Sequence, residues 1–219
     1  MPNVLLLDKI KDVLYPRGCV CYLCSHESVT DSFGLCGECR RQIVAFSGMC
    51  SFEHIDGFSA SFLYAGAIAD AVKRYKFNYE RYYADFFAQF IDIPESWRID
   101  IVVPVPLHKK RLRERGFNQS ELLASRVCAR FGLKLNKTVL RRVKNTPHQS
   151  QLDSTERVSN MRGAFEASRN LNGKSVLIID DVCTTGSTLE ECALALKLGG
   201  ASHVYALTVA ASSRHSSDT

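Results

Sequence analysis

The stretch from Val176 to Thr188 constrains the fold of this chain more than any other. It reads Val-Leu-Ile-Ile-Asp-Asp-Val-Cys-Thr-Thr-Gly-Ser-Thr, so four apolar residues run directly into two adjacent carboxylates, and a hydroxyl-rich loop follows. A continuous apolar run is typical of a parallel strand that is buried on both faces. Ligands of open α/β sheets bind at the carboxyl ends of such strands. The stretch therefore predicts a parallel sheet with a ligand site beside its carboxylates.

The two halves of this stretch suit different parts of one ligand. The loop from Thr184 to Thr188 offers backbone N–H groups and hydroxyls at the start of a predicted helix, which favours a phosphate group. Asp180 and Asp181 only accept hydrogen bonds, so they suit sugar hydroxyls or a hydrated divalent cation. The simpler alternative is an Asp-Asp turn followed by a Thr/Ser helix cap, and each half of it is common. The whole string in this order favours a site for a sugar 5-phosphate.

This string resembles the signature of the type I phosphoribosyltransferases, which bind 5-phosphoribosyl 1-diphosphate (PRPP) with Mg²⁺. The resemblance implies that Asp180 and Asp181 are the catalytic residues and hold the ribose hydroxyls. It also implies a binding site for the 5-phosphate that is made by Thr184, Thr185, Gly186, Ser187 and Thr188.

Strand and helix patterns alternate along the remaining chain. Strand patterns lie at residues 58–64, 99–103, 140–143, 176–179 and 203–209, and the pattern at 140–143 suits an edge strand. Helical patterns lie at residues 4–15, 68–77, 82–90, 120–131, 153–163 and 189–198. This order predicts an α/β fold with a parallel sheet and helices on both faces. We expect an N-terminal helix and metal module in residues 1–50, the α/β domain in residues 51–211 and a disordered tail in residues 212–219.

Five of the nine cysteines lie between residues 19 and 39. Two Cys-x-x-Cys pairs, Cys21–Cys24 and Cys36–Cys39, can bring four thiolates to one tetrahedral Zn²⁺. Clustering of this kind in a cytosolic protein favours a metal over disulfides. Metal binding would then supply most of the folding energy of the small module. Cys19 is an alternative to Cys21 as a ligand, and Cys50 has no Cys-x-x-Cys partner and is expected to be a buried thiol.

Basic charge is concentrated in the middle of the chain. Residues 101–162 contain 14 Lys or Arg and 4 Asp or Glu, while the whole chain has a net charge of +5. This basic stretch suits a polyanion such as a diphosphate or a nucleic-acid backbone, and the alternative is a solvated basic face. A second, less specific nucleic-acid signal is made by Lys73, Arg74 and Lys76 beside Tyr75 and Phe77.

The hydropathy of the chain favours a cytoplasmic protein. No apolar stretch approaches the ~18 residues that a membrane span needs. The N-terminal segment lacks the basic region and the long apolar core of a signal peptide. We therefore expect no membrane span.

Four features together resemble the ComF family, and the resemblance covers about residues 19–210. They are the two zinc knuckles, the Val-Pro-Val-Pro-Leu-His string at 103–108, the Arg-Gly-Phe-Asn-Gln element at 115–119 and the Asp-Asp signature. The resemblance implies a small zinc-ribbon module, in which four cysteines hold a single structural zinc, fused to a type I phosphoribosyltransferase-like domain. It also implies a link to natural competence, in which DNA enters the cytosol as a single strand.

The ComF resemblance assigns further site residues. It places a diphosphate-binding loop after Pro104, with site residues at Leu107, His108, Lys109, Lys110, Arg111, Arg115 and Gly116. It also implies a flexible hood over about residues 145–162, in which the residues that could close over the site are Gln149, Arg157 and Arg162. Such a lid excludes water and completes the electrostatic clamp.

Three interpretations of function follow. The first is an enzyme that transfers phosphoribose from PRPP to an acceptor, mainly by positioning and electrostatics and without a covalent step. The second is a factor that handles single-stranded DNA through its zinc module or its basic stretch. The third is a non-catalytic PRPP-sensing regulator or scaffold, with a cytosolic helicase or a recombination mediator as its partner.

Overall fold

Six strands form two sheets in the computed structural model of the protein, which describes residues 19–77, 80–144, 163–168 and 170–213. The strands are β1 Gly57–Leu63, β2 Ile101–Pro104, β3 Leu140–Arg142, β4 Phe165–Ala167, β5 Ser175–Cys183 and β6 His203–Ala211. The larger sheet has the order β1-β6-β5-β2, and all of its neighbouring strands are parallel. The predicted parallel sheet is therefore confirmed.

Helices cover both faces of this sheet. They are α1 Gly37–Gln42, α2 Gly66–Phe77, α3 Tyr83–Ala88, α4 Lys109–Arg115, α5 Gln119–Phe131 and α6 Ser187–Leu198. In β5, Leu177 belongs to a buried cluster with residues of α2, α3 and α5. Its neighbour Ile178 belongs to a second cluster with residues of α6 and of β3 and β4. Burial on both faces explains why the sequence of β5 is apolar without interruption.

Strand β5 is longer than the sequence pattern predicts. The pattern ends the strand at Ile179, but the strand continues through both carboxylates to Cys183. Pairing with the equally long β6 extends it, since Asp180 lies opposite Thr208 and Val182 lies opposite Ala210. The two carboxylates therefore lie within the end of a central strand, where the backbone is held by its neighbours.

The segment after β2 also differs from the expected loop. Pro104 and Pro106 end the strand as predicted, but Lys109–Arg115 then form helix α4. His108 caps this helix, since its Nδ1 accepts a hydrogen bond from the backbone N–H of Lys110 at 3.3 Å. Gly116 ends it with φ 72°, in the left-handed region that favours glycine. Lys, Arg, Leu and Glu are good helix formers, and this preference outweighs the prolines upstream.

Strand β3 does not lie at the edge of the parallel sheet, where the sequence places it. It pairs with β4 in an antiparallel arrangement, and Arg142 lies opposite Phe165. The sequence pattern did not predict β4, because it has three residues and only Phe165 among them is apolar and large. This small sheet packs on the same side as α6.

The cysteine-rich module shares a core with the helices α2 and α3. The ring of Tyr22 contacts the ring of Phe86 at a centroid distance of 5.3 Å, and Phe33 stacks on Phe90 at 4.9 Å. Arg74 of α2 donates hydrogen bonds to the carbonyl oxygen of Leu23 and to Ser25 Oγ. These contacts fix the module against the helical face of the sheet.

Some predicted features lie outside the described residues. They are the N-terminal helix at 4–15, almost all of the helix at 153–163, the hood residues Gln149, Arg157 and Arg162, and residues 214–219 of the tail. Within the part of the chain that the structure describes, no helix has the length and hydropathy of a membrane span.

Candidate functional site

Two buried carboxylates lie at the carboxyl end of β5. Asp180 is 7% exposed and Asp181 is 2% exposed. Asp180 Oδ1 accepts hydrogen bonds from Ser120 Oγ at 2.7 Å and from the backbone N–H of Asp181 at 2.9 Å. Asp181 Oδ1 lies 3.0 Å from Lys76 Nζ, but its Oδ2 is buried with no hydrogen-bond partner among the described residues. A buried, unpaired carboxylate oxygen is costly, so this atom marks a place for a donor from a ligand.

Asp180 has an unusually high pKa. Burial, and then the negative charge of Asp181, raise the pKa of Asp180 to about 7, although the hydrogen bond from Ser120 opposes this rise. Two neighbouring like charges in a buried site disfavour simultaneous ionisation. Asp180 therefore holds a proton at mildly acidic pH, and a cationic ligand would displace this proton.

This raised pKa predicts a pH dependence of stability. The folded protein keeps the proton of Asp180 from about pH 4 to about pH 7, whereas the unfolded chain loses it near its ordinary pKa of 3.8. The free energy of unfolding therefore decreases as pH rises through this window. Asp180→Asn lacks this proton, so its stability relative to the parent should rise by on the order of 3 kcal/mol between pH 4 and pH 7.

Urea unfolding of both proteins across this range measures the difference. Asp92→Asn serves as the control, since the Asp92 side chain is 89% exposed. Parallel curves for the parent and Asp180→Asn would contradict the prediction.

The hydroxyl-rich loop follows β5 and leads into α6. Gly186 caps the helix with φ 80°, in the left-handed region, and α6 has 12 residues. Within the loop, Thr185 Oγ1 lies 2.8 Å from Ser187 Oγ and accepts a hydrogen bond from the backbone N–H of Ser187. The first N–H groups of a helix have no partner in the helix and suit an anion. The structure thus brings residues 184–188 together at the same sheet edge as the two carboxylates.

The carboxylates act electrostatically on two guanidinium groups, those of Arg115 and Arg142. Arg111 and Arg115 stand one turn apart on α4, and both are half-buried. Burial lowers the pKa of Arg115, while the charges of Asp181 and Asp180 oppose this shift. For Arg142 of β3, burial and then the charge of Arg111 lower the pKa. The three half-buried positive charges of Arg111, Arg115 and Arg142 favour an anionic ligand of high charge density.

The other predicted diphosphate residues occupy the start of α4. Leu107 and His108 are half-buried, whereas Lys109 and Lys110 are exposed. His108 Nδ1 already accepts the capping hydrogen bond from the N–H of Lys110, so accepting a hydrogen bond from a ligand instead would break the cap.

Sequence reasoning missed three residues at this site. Lys76 pairs with Asp181, although its position beside aromatic residues indicated nucleic-acid binding. Ser120 bonds to Asp180 and directly follows the Arg-Gly-Phe-Asn-Gln element, so its position was a usable signal. Arg142 had no such signal, because its position near the site depends on the pairing of β3 with β4.

The four knuckle cysteines form a group that can hold a metal ion. The sulfur atoms of Cys21, Cys24, Cys36 and Cys39 all lie within 4.8 Å of one another. Cys24 Sγ and Cys36 Sγ are 3.9 Å apart, close to the about 3.8 Å that a tetrahedron with Zn–S bonds of about 2.3 Å requires. Cys19 is exposed and does not belong to this group, so Cys21 takes the position that the sequence left open.

Hydrogen bonds already prepare these sulfurs as ligands. The backbone N–H of Cys36 donates to Cys21 Sγ at 3.4 Å, and that of Cys39 donates to Cys36 Sγ at 3.4 Å. Burial raises the pKa of the Cys21 thiol, but the backbone hydrogen bonds that it accepts outweigh this and lower it to about 7. Burial and the neighbouring sulfurs raise the pKa of Cys39. A cation among the sulfurs would stabilise all four thiolates.

Known proteins resemble this chain in both sequence and domain type. A family model described as "Phosphoribosyl transferase domain" matches residues 117–218, which include both carboxylates and the hydroxyl-rich loop.

Three curated relatives share part of the sequence. DNA utilization protein YhgH of Salmonella typhi is 38% identical over 105 residues, which are 48% of this chain and 46% of that protein. Competence protein F of Haemophilus influenzae is 28% identical over 75% of this chain and 73% of that protein. Competence protein ComFC of Bacillus subtilis is 31% identical over 68% of this chain and 61% of that protein. The match thus spans about half the length of the first of these relatives.

Proposed function

We propose that this chain, which belongs to the ComF family, binds PRPP with a divalent cation at the site of Asp180 and Asp181. Its competence and DNA-utilization relatives and its phosphoribosyltransferase-type domain support the family membership. One observation supports this proposal above all. Two buried carboxylates, with an unpaired oxygen on Asp181, lie beside the hydroxyl-rich start of α6. This is the pairing of acceptors and donors that a phosphorylated sugar needs.

Each part of PRPP has a matching group in this arrangement. The ribose hydroxyls donate to Asp180 and Asp181, and the 5-phosphate accepts from the backbone and hydroxyls of residues 184–188. The diphosphate lies toward α4, where Arg111 and Arg115 carry half-buried positive charges, with His108, Lys109 and Lys110 at the start of that helix. Mg²⁺ would neutralise part of the charge of the diphosphate. We propose that Gln149, Arg157 and Arg162, which lie outside the described residues, also contribute to binding.

The reaction that such a site supports is transfer of the phosphoribosyl group to an acceptor. The bond from the anomeric carbon to diphosphate breaks, and the ribose ring gains positive charge in the transition state. Asp180 and Asp181 stabilise that charge through the ribose hydroxyls, while the guanidinium groups stabilise the leaving diphosphate. No nucleophilic side chain is needed, since positioning and electrostatics supply the catalysis.

Thermal unfolding tests this proposal. PRPP with Mg²⁺ should raise the melting temperature of the protein, because a ligand that binds only the folded state stabilises it by about 2.7 kcal/mol at 100 times its dissociation constant. Ribose 5-phosphate lacks the diphosphate and should protect less. Equal melting temperatures with and without Mg²⁺ and PRPP would overturn the proposal.

We also propose that the four-cysteine group holds one Zn²⁺ with a structural role. Cys21, Cys24, Cys36 and Cys39 would be its ligands, and four thiolates leave no open position for a substrate. The module packs on α2 and α3, so the ion would stabilise the helical face of the main domain as well.

We propose that the protein handles single-stranded DNA in the cytosol. The names of the relatives, DNA utilization protein and Competence protein F, support this role. So does the excess of Lys and Arg in residues 101–162, part of which is exposed on α4. A helicase or a recombination mediator is the kind of protein partner that this role implies.

Charge reversal on α4 tests the contact with DNA. Lys109→Glu/Lys110→Glu should weaken binding of an oligothymidylate and reduce the slope of log K against log salt by about 0.7 for each lost phosphate contact. Fluorescence anisotropy at several salt concentrations measures both. Lys174→Glu is the control, since Lys174 is exposed and lies outside the basic stretch. Unchanged affinity in the double variant would exclude α4 from the DNA contact.

The alternative is a non-catalytic PRPP-sensing regulator or scaffold with a structural zinc module. It shares the binding site with the enzyme, so binding data alone do not separate the two. Release of diphosphate from PRPP in the presence of candidate acceptors distinguishes them, since a sensor binds PRPP without consuming it.

A further inference from the structure

Lys76 contacts the carboxylate pair from a helix that the sequence did not connect with the site. Its Nζ lies 3.0 Å from Asp181 Oδ1, and the side chains are 23% and 3% exposed. An ion pair with one almost fully buried partner is screened much less than a surface pair. Lys76 therefore acts on Asp181 more strongly than Lys73, the surface lysine of the same helix, acts on Asp70.

The position of Lys76 is fixed by its neighbour in the chain. Tyr75 is fully buried, and its hydroxyl donates a hydrogen bond to the backbone oxygen of Gln119 at 2.6 Å. This bond joins α2 to the first residue of α5, and the next residue of α5 is Ser120, which donates to Asp180. Both carboxylates are thus held by two helices that are bonded to each other.

The charged groups around the pair come from several elements. Asp181 faces Lys76 of α2, Asp180 of its own strand and Arg115 of α4. The Tyr75 hydroxyl feels the charge of Asp181, while Asp180 acts on Arg142 of β3 and on Cys192 of α6. Of these groups, Lys76 is the cation within ion-pair distance of a carboxylate oxygen.

The contacts divide the oxygens of Asp181 into two kinds. Oδ1 is held by Lys76, whereas Oδ2 is buried without a hydrogen-bond partner among the residues described. We propose that Lys76 is a positioning residue for PRPP binding: it fixes Asp181 through Oδ1 and keeps Oδ2 open to a ribose hydroxyl. This inference rests on the proposed function of the site.

Loss of the ammonium group would change the carboxylate pair in a predictable way. Without Lys76, the pKa of Asp180 rises further, because the charge of Lys76 opposes the effects of burial and of Asp181 in the parent. A protonated carboxyl accepts a ribose hydroxyl poorly, and its proton must leave before PRPP binds. The affinity of such a variant would therefore fall as the pH decreases, by up to about tenfold per pH unit.

Calorimetric titration of PRPP with Mg²⁺ at pH 6.5, 7.5 and 8.5 tests this inference on the whole protein. Lys76→Met should bind about tenfold or more weakly at pH 6.5, and the difference from the parent should narrow by pH 8.5. Lys76→Arg keeps the charge and should stay within a few-fold of the parent. Lys73→Met is the matched control, since Lys73 lies one turn earlier on α2, is 61% exposed and pairs with Asp70.

A double-mutant comparison tests whether Lys76 affects PRPP affinity through Asp181. If Lys76 acts through Asp181, Lys76→Met should cost no further affinity in an Asp181→Asn background. Lys76→Gln, which keeps a polar group of similar length, replaces Lys76→Met if circular dichroism shows that the methionine variant is unfolded.

The outcomes separate the inference from the function on which it rests. A parent protein that does not bind PRPP overturns the proposed function and the role of Lys76 with it. A parent that binds PRPP, together with Lys76→Met that binds equally well at all three pH values, overturns the inference alone. The inference is also overturned if Lys76→Met and Lys76→Arg both lose the same PRPP affinity at every pH, because that result indicates a purely structural contact.

Discussion

Cys36→Ser is expected to release the metal ion and to lower the stability of the whole protein by several kcal/mol. Structural zinc contributes about 10–16 kcal/mol to the folding of isolated zinc-finger peptides, so one lost ligand removes a large part of the folding energy of the module. The loss should spread to the main domain, because Tyr22 and Phe33 pack on the rings of Phe86 and Phe90. Urea unfolding and colorimetric zinc release measure the two effects.

Serine is a suitable replacement at this position. Cys36 is also the N-cap of α1, where its sulfur accepts a hydrogen bond from the backbone N–H of Cys39. Serine is a preferred N-cap residue, so the cap survives while the thiolate is lost. Cys19→Ser is the control, since Cys19 is exposed and lies outside the four-cysteine group. A Cys36→Ser protein that keeps one equivalent of zinc and the stability of the parent would contradict the assignment.

Asp181→Asn is expected to weaken binding of PRPP with Mg²⁺ by about 10- to 100-fold. A hydrogen bond to a charged group contributes about 1.5–3 kcal/mol, and a tenfold change in affinity corresponds to about 1.4 kcal/mol. Asparagine keeps the shape of the side chain but presents an N–H₂ group where a ribose hydroxyl needs an acceptor. The substitution also removes the ion-pair partner of Lys76, whose side chain is 23% exposed and can turn toward water.

A matched variant controls for the general effect of removing one carboxylate. Asp92→Asn changes an exposed side chain that pairs with Arg130 and should leave PRPP affinity unchanged. Circular dichroism checks that Asp181→Asn is folded before its affinity is compared. Equal affinities of Asp181→Asn and the parent would exclude this carboxylate from the PRPP site.

The carboxylates, the hydroxyl-rich loop and the cysteine group could be located from the sequence because their residues are close in the chain. The carboxylates and loop occupy nine consecutive positions from Asp180 to Thr188, and each cysteine pair has the spacing of a zinc knuckle. Local chemistry and spacing decide such features, since the backbone between the residues is short. The parallel sheet followed from the same reasoning, because uninterrupted apolar strands need cover on both faces.

Contacts between distant segments could not be predicted in the same way. Lys76 and Asp181 are more than a hundred positions apart, and only the packing of α2 on the sheet brings them together. The length of β5 depends on its pairing with β6, which keeps Asp180 in the strand, whereas the sequence pattern ends the strand at Ile179. The sequence between Pro104 and Gly116 suggested a loop because prolines and charge dominate it, whereas helix propensity and the caps at His108 and Gly116 decide its structure.

The basic residues show the same contrast. Their number suggested a polyanionic ligand, but the structure divides them by position. Arg111, Arg115 and Arg142 are half-buried, whereas Lys109 and Lys110 are exposed. The half-buried arginines suit a diphosphate, whereas Lys109 and Lys110 are accessible to both a diphosphate and DNA, so the two proposed ligands share these two lysines.

Calorimetric titration of the parent protein with PRPP, with and without Mg²⁺, tests the central claim most directly. We predict that one PRPP binds per chain and that this binding requires the divalent cation. No binding heat with Mg²⁺ at PRPP concentrations up to about 1 mM would contradict the claim. A dissociation constant of about 1 mM corresponds to a binding free energy of about −4.1 kcal/mol.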